Sequence, residues 1–162
     1  INHFNRFKFF YYIGCKRTSL AIPLFKKNMR FFYKQKTAYE IIGCAIKVNI
    51  ECGAGLLESV YKECMVYELV KKGFDVKIEQ EVELVYCGKK LQSKLRLDLL
   101  VNDLVIVELK SVENLIPLFT AQLLTYMKLA QKPKGLLINF NTTNIVSGSV
   151  ALVNEFFASL PD

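Results

Sequence analysis

The segment at residues 104–110, LVIVELK, constrains the fold more than any other part of the sequence. Its first four residues are apolar, which is typical of a strand covered on both faces at the centre of a sheet. Glu108 and Lys110 follow, and because side chains two residues apart on a strand point to the same face, we expect both to emerge together at a cleft. Acidic and basic side chains are rarely fully buried unless they are paired, so this strand end is the first candidate for chemistry.

The surrounding pattern predicts helices and further strands around this segment. Apolar spacing and turn residues indicate helices at 38–51, 56–72 and 117–131, strands at 74–86, 91–101 and 134–140, and a last helix at 150–160. In the helix at 117–131 we expect four residues to face inward: Leu118, Ala121, Leu124 and Leu129. The fold class is therefore α/β with a mixed α+β sheet, in which three antiparallel strands precede a helix and a fourth strand.

The composition excludes several kinds of active site. The chain has one histidine, His3, so the rest of it offers no imidazole for a serine or cysteine hydrolase or for a histidine metal site. Its five cysteines are odd in number and form no C-x-x-C pair, so we expect buried free thiols rather than disulfides or zinc ligands. No uncharged apolar run approaches about 18 residues and no signal peptide is recognisable, which favours a cytoplasmic protein that does not enter a membrane.

The positive charge is concentrated at one end of the chain. Nine of the 22 Lys and Arg residues lie in residues 1–36, which contain no Asp or Glu and therefore carry +9, whereas residues 37–162 carry 13 basic and 15 acidic groups, a net −2. Residues 34–41, KQKTAYEI, resemble the translation of a common sequencing adapter. We therefore predict that residues 1–36 are a non-native or disordered basic aromatic tail and that residues 37–162 form a single domain. A basic aromatic arm that binds nucleic acid is the functional alternative.

A second acidic residue lies in the preceding predicted strand. Asp98 stands within the apolar run LDLLV, and a hairpin would bring it beside Glu108. A two-residue loop at Asn102-Asp103 would place the two carboxylates on opposite faces of the sheet, whereas a three-residue loop that includes Leu104, or a β-bulge, would place them opposite each other. A catalytic site at this position therefore requires the odd loop or the bulge.

Two adjacent carboxylates need a counter-charge, because at about 4 Å they repel by roughly 4 kcal/mol at an effective dielectric of about 20. Carboxylate oxygens with open positions for water and phosphate suit Mg²⁺ or Mn²⁺ better than zinc. A structural ion pair with Lys110 accounts for the same spacing equally well, so the E-x-K triplet alone does not decide between a metal site and a salt bridge.

Three further polar residues are candidates from their positions on predicted helices. Gln122 and Tyr126 lie four residues apart and share a helix face, where Gln122 could orient a water or contact a phosphate; a surface polar pair is the alternative. Glu58 lies in the first turn of the second helix, where the helix dipole favours a carboxylate without any catalytic role.

Five sequence blocks together resemble a known family. Residues 55–61, GLLESVY, match the G-x-x-E-x-x-Y signature of the GxxExxY protein family, a branch of the PD-(D/E)XK nuclease superfamily. The similarity continues, in the same order, through four further blocks and covers residues from about 41 to 153: residues 96–101, 105–110, 121–126 and 135–141.

The resemblance implies a restriction-endonuclease-like PD-(D/E)XK core, α-β-β-β-α-β, and metal-dependent hydrolysis of phosphodiester bonds. It implies that Asp98 and Glu108 hold Mg²⁺ or Mn²⁺ and that Glu58 completes the acidic cluster from its helix. Lys110 would position the attacking water or stabilise charge on the phosphate. The implied substrate is nucleic acid, DNA in preference to RNA.

The resemblance also extends to accessory positions, with some departures. Gln122 and Tyr126 match the Q-x-x-x-Y element of exonuclease-like branches of the superfamily. The chain has Asn49 where family members often have His, Ala54 where Pro is common, and Phe119-Thr120 where His-Glu is frequent. The implied metal and lysine positions are unchanged.

Two functions from different classes follow from these residues. The first is a metal-dependent nuclease, and the second is a catalytically silent module with a nuclease fold that binds nucleic acid or a protein partner. The near-neutral charge of residues 37–162 is unlike the basic groove expected of a protein that binds long duplexes strongly. A glycoside hydrolase built on Glu58 and Asp98 would leave Lys110 unexplained.

Overall fold

The structure, a computed structural model, describes the backbone of residues 24–157 and the side chains of residues 36–157. Three α-helices, five β-strands and a short 3₁₀ helix occupy this part of the chain: α1 Leu24–Cys52, α2 Glu58–Lys71, β1 Val76–Tyr86, β2 Lys89–Val101, β3 Val105–Lys110, α3 Pro117–Leu129, β4 Lys134–Asn139, β5 Ser149–Val153 and the 3₁₀ helix Glu155–Phe157.

The strands form one sheet in the order β1-β2-β3-β4-β5. Neighbouring strands are antiparallel except β3 and β4, which run parallel and are joined through α3. A parallel pair needs a crossover connection, and α3 supplies it. The predicted α-β-β-β-α-β order is confirmed by α2, β1, β2, β3, α3 and β4, within a mixed α+β sheet.

The two faces of the sheet carry separate cores. On one face, α1 and α2 pack against alternate residues of β2, β3 and β4, with Tyr61 stacked on Phe140 at a ring-centroid distance of 4.4 Å. On the other face, Leu123 and Met127 of α3 pack against the remaining apolar residues of the same strands. Because both faces are covered, β4 is buried throughout and β3 is buried up to its last residue, as the apolar run at residues 104–107 predicts.

A three-residue loop joins β2 to β3. Val101 pairs with Val105 and Leu99 with Val107, so residues 102–104 form the connection. Asn102 and Asp103 have φ angles of 51° and 54°, in the left-handed region that Asn and Asp tolerate better than other side chains. Of the two registers considered from the sequence, this is the one that allows Asp98 and Glu108 to lie side by side.

The first helix is longer than its apolar pattern predicts. The periodic residues begin near position 38, but α1 begins at Leu24. No Gly or Pro lies between Leu24 and Ile42, so nothing in the local sequence ends the helix before that point. The predicted boundary at residue 36 therefore falls within a continuous helix, and residues 1–23 of the predicted tail lie outside the described residues.

The predicted last helix at residues 150–160 is wrong. Residues Ser149–Val153 form β5, which pairs antiparallel with β4, and only a 3₁₀ turn follows before residues 158–160, which lie outside the described part. A short apolar run such as VALV does not distinguish strand from helix by periodicity. The free edge of β4 decides the outcome, because its backbone groups need partners.

Two predictions of burial also need correction. In α3 the buried residues are Leu123 and Met127. Of the four residues expected inside, Leu118, Ala121 and Leu129 are exposed and Leu124 is half-buried. All four cysteines whose side chains are described are free, as expected, but they are not all buried: Cys44 is buried, Cys52 and Cys64 are half-buried and Cys87 is exposed. Among the described residues no helix is both long enough and apolar enough to cross a bilayer.

Candidate active site

Asp98 and Glu108 lie side by side on the paired strands β2 and β3. Asp98 lies one residue before the Leu99–Val107 pair, the last backbone pair between β2 and β3, and its Oδ2 accepts a hydrogen bond of 3.0 Å from the backbone N–H of Leu109. This bond holds β2 and β3 together beyond their last backbone pair. It also fixes the Asp98 carboxylate next to the strand that carries Glu108.

Glu108 and Lys110 form a partly buried ion pair at the end of β3. Lys110 Nζ donates to Glu108 Oε1 at 2.9 Å, and the two side chains are 14% and 6% exposed. Glu108 Oε2 is also buried, and no hydrogen-bond partner for it is found among the described residues. A buried carboxylate oxygen without a partner is costly, so this atom is the point of the cluster where a proton or cation is most favoured.

Glu58 reaches the same cluster from the first turn of α2. The loop before it is fixed by Tyr61, whose hydroxyl donates to Gly53 O at 2.7 Å and accepts from Leu56 N at 3.1 Å. Ser111 Oγ, just beyond the end of β3, donates to Leu56 O at 2.6 Å. These bonds attach the start of α2 to the end of β3, which explains why Glu58 is next to Lys110.

The pKa values of Glu58, Glu108 and Lys110 are shifted by burial and by their charged neighbours. Burial raises the pKa of Glu108 above its usual value, and the negative charge of Asp98 raises it further. Burial likewise raises the pKa of Glu58, with Lys110 opposing and Asp98 reinforcing the shift. Although burial alone would lower it, the pKa of Lys110 is raised by its hydrogen bond to Glu108 and by the charges of the surrounding carboxylates. Glu58, Asp98, Glu108 and Lys110 therefore form one electrostatic cluster.

The predicted pair on α3 is present, but it is not bonded to this cluster. Gln122 Nε2 donates to Tyr126 OH at 2.8 Å, and both side chains are half-buried. Within the described residues no hydrogen bond joins either of them to the four charged side chains. The link is Phe119, one turn before Gln122, whose ring centroid lies 5.4 Å from Lys110 Nζ.

Two residues near the cluster were missed from the sequence. Lys62, on α2 one turn after Glu58, lies 3.0 Å from Asp98 Oδ1; its i+4 spacing from Glu58 was the available signal. Asn139 pairs with Lys110 across β3 and β4, and its amide bonds both the N–H and the C=O of Val112. No local pattern marks Asn139, because its role depends on how β4 lies next to β3.

The departure from the family pattern at Asn49 has a structural role. Its side-chain amide donates to the carbonyls of Phe140 and Thr142, both at 3.2 Å. Asn49 thereby attaches α1 to the segment that follows β4.

The carboxylate oxygens of the cluster are of the kind that binds a hard divalent cation, although two of the carboxylates are paired with lysines. Among the described residues, no three His, Cys, Asp or Glu side chains are grouped as ligands of one ion. Asp98 and Glu108 are each paired with a lysine instead, Lys62 and Lys110. The orphaned Glu108 Oε2 and its carboxylate neighbours are the hard oxygen donors that Mg²⁺ and Mn²⁺ prefer.

Comparison with known protein families identifies the superfamily of this chain. A search of curated proteins found no match. A solved structure described as "Crystal structure of SSO0001" resembles the chain with a TM-score of 0.47 and 18% sequence identity, over 78% of this chain and 62% of that one, so the chain spans less than two thirds of its length. A family model of the PD-(D/E)XK nuclease superfamily matches residues 35–150, which include both strands of the carboxylate pair, Glu58 and α3. Since that match extends over well more than half of the chain, the protein belongs to the PD-(D/E)XK nuclease superfamily.

Proposed function

We propose that the protein is a divalent-metal-dependent nuclease that hydrolyses phosphodiester bonds, with DNA as the preferred substrate. The observation that carries the proposal is the buried Glu108 Oε2, which has no hydrogen-bond partner among the described residues and lies in a carboxylate cluster beside Lys110. A structural ion pair alone gives no reason to keep Glu58 and Asp98 next to Glu108, because like charges raise the cost of burial.

The residues divide the chemistry between them. Asp98, Glu108 and Glu58 would hold Mg²⁺ or Mn²⁺, which, when bound, supplies an acidified water and positive charge against the phosphate. Lys110, held by Glu108 at 2.9 Å and covered by the Phe119 ring, keeps its ammonium at a fixed point beside the carboxylates. There it can orient a water or stabilise negative charge that develops on a phosphate oxygen. Gln122 would contact the substrate backbone, with Tyr126 orienting its amide.

A catalytically silent module that binds nucleic acid or a protein partner is the second candidate. One feature of the cluster favours this second candidate. The carboxylates of Asp98 and Glu108 already have lysine partners, so their charges are partly neutralised without a metal. The two candidates share the fold and differ in turnover.

The deciding experiment is cleavage by the full chain of linear DNA, circular DNA and RNA in Mg²⁺, Mn²⁺ or EDTA. The test variant is Asp98→Asn. The matched control is Asp103→Asn, five residues further along the same hairpin, where the exposed carboxylate pairs with Lys77 and Lys132 outside the cluster. Cleavage that requires metal and is lost in Asp98→Asn alone supports the nuclease, and the circular substrate shows whether an end is needed. A folded protein that cleaves none of the substrates supports the silent module.

A further inference from the structure

Lys62 is the cation that pairs directly with Asp98. Its Nζ lies 3.0 Å from Asp98 Oδ1, and the two side chains are 18% and 15% exposed. The other carboxylate oxygen, Oδ2, is held by the N–H of Leu109. Both oxygens of Asp98 therefore have partners, and a cation that binds Oδ1 would lie next to the Lys62 ammonium and be repelled by it.

Glu79 provides a second carboxylate partner for the same ammonium. Lys62 Nζ also lies 3.3 Å from Glu79 Oε1, so one lysine bridges two carboxylates on neighbouring strands. Glu79 lies between the Ile78–Leu99 and Gln80–Leu97 pairs, at the position of β1 opposite Asp98, where the backbone pairing of the ladder is interrupted.

The backbone is strained at Glu79, the residue that shares Lys62 with Asp98. Its φ is 49°, in the left-handed region that a side chain with a Cβ rarely adopts, although a regular ladder continues on both sides. Strained backbone conformations that persist are concentrated at functional sites. The second oxygen of Glu79 accepts from Arg96 at 3.3 Å, which holds the carboxylate in place independently of Lys62.

We infer that Lys62 is a positioning residue that exchanges between two carboxylates: it pairs with Asp98 in the metal-free protein and is held by Glu79 when a divalent cation takes its place. The inference rests on the proposed metal-dependent function. Lys62 would keep Asp98 oriented and its charge neutralised before metal binds, and it would compete with the metal for Oδ1. Glu79 would lower the cost of that competition, because it accepts the displaced ammonium.

The competition predicts opposite effects of two substitutions on the affinity for Mn²⁺ alone, measured by calorimetric titration or electron paramagnetic resonance of the full chain without nucleic acid. Lys62→Gln removes the competitor, so we expect Mn²⁺ to bind about three- to tenfold more tightly. Glu79→Gln removes the alternative partner, so we expect Mn²⁺ to bind more weakly. Lys62→Arg keeps the charge and should remain close to the unsubstituted protein.

The matched control is Lys47→Gln, which breaks a comparable ion pair of 2.9 Å with Glu68 between α1 and α2, away from the cluster. It should leave the affinity for Mn²⁺ unchanged. Unchanged or weaker binding of Mn²⁺ by Lys62→Gln would overturn the inference. Unchanged or tighter binding by Glu79→Gln would overturn it as well, and this second variant keeps the inference testable if Lys62→Gln does not fold. An Asp98→Asn variant separates the two proposals: if Asp98→Asn binds Mn²⁺ normally, the proposed metal site itself fails and the role of Lys62 fails with it.

Discussion

Glu108 is the residue at which burial and charge oppose each other most directly. It lies on a strand covered on both faces, its pKa is raised by burial and then by Asp98, and one of its oxygens is buried with no hydrogen-bond partner found among the described residues. At neutral pH the ionised form is therefore less favourable in the folded chain than in the unfolded one. A residue kept at such a cost to folding is better explained by chemistry than by stability.

Glu108→Gln should separate these two effects. The amide has nearly the same shape, removes the buried charge and can still accept a hydrogen bond from Lys110, which also keeps Glu58 and Asp98 as nearby negative charges. We therefore expect the midpoint of thermal unfolding at neutral pH to change little. Cleavage should fall by at least about 100-fold, because the negatively charged carboxylate that would hold the metal is replaced by a neutral amide. Thermal unfolding measures the effect on stability, and the cleavage assay measures the effect on activity. A variant that is strongly destabilised but still active would contradict the catalytic role of Glu108.

Asp103 shows the opposite electrostatic behaviour in the loop between β2 and β3. Hydrogen bonds from Lys132 and then Lys77 lower the pKa of its carboxyl below 3.8. Because the folded pKa is the lower one, the carboxylate stabilises the fold above the unfolded value of about 3.8, and this contribution is lost as the pH falls through the folded pKa. The side chain is 57% exposed, so solvent screening keeps the effect small.

Asp103→Asn should therefore lower the free energy of unfolding near pH 7 by no more than about 1 kcal/mol. The difference from the unsubstituted protein should shrink near pH 3, where the carboxyl begins to be protonated. Urea unfolding at the two pH values measures it. A difference of the same size at both pH values would mean that Asp103 acts through the loop conformation rather than through its charge.

At the scale of elements, Gly135 fixes how closely α3 packs on β4. A Cβ at this position would lie 2.6 Å from Met127 Sδ and 2.9 Å from Leu123 Cγ, closer than side chains approach in folded proteins. Since Met127 and Leu123 are the two buried residues of α3, a larger residue at position 135 has to displace the helix or its side chains.

Gly135→Ala should thus lower the free energy of unfolding by about 1–3 kcal/mol, as overpacking does in other cores. The flexible end of Met127 can yield more readily than the branched Cγ of Leu123, so most of the cost should come from Leu123. A double-mutant cycle with Leu123→Ala tests this, since the two substitutions should be less than additive. Strict additivity would show that the contact does not limit the packing of α3.

The central elements could be predicted from the sequence, because their local signals agree with their tertiary environment. Residues 104–107 are apolar because both sheet faces are covered, and the choice of register for Asp98 reduced to the length of one loop. The sequence-based predictions were wrong where tertiary contacts determine the local structure. Residues 149–153 are a strand because β4 has an edge to pair, and the inward face of α3 depends on the space left by Gly135.

The residues of the candidate site could likewise be predicted only where a local signal marks them. Glu108 and Lys110 stand out because charge ends an apolar run, and Asp98 because it interrupts one in the neighbouring strand, whereas Glu58 joined them through the resemblance to a family. Lys62 was missed because a lysine on a helix surface is ordinarily solvated, and only the fold places it 3.0 Å from Asp98.

For the whole molecule, the distribution of charge makes a prediction about residues 1–36. The full chain carries +7, but residues 37–162 carry −2. In α1 the first fully buried side chain among those described is Ile41, and Lys36 is exposed. Removal of residues 1–36 keeps every described side chain of α1 that packs in the core, from Ala38 onward, so we expect the remaining chain to fold.

The same truncation should separate catalysis from general electrostatic attraction to nucleic acid. Phosphate binding through Lys and Arg weakens as salt displaces counterions, so binding that depends on the nine basic residues of the first segment should be steeply salt-dependent. We expect residues 37–162 to cleave DNA at saturating substrate within about twofold of the full chain, since the carboxylate cluster lies entirely within them, and to bind it with a shallower salt dependence. Loss of cleavage at saturating substrate in a folded truncation would instead make the basic segment part of the substrate site, and the boundary at residue 36 would then be wrong.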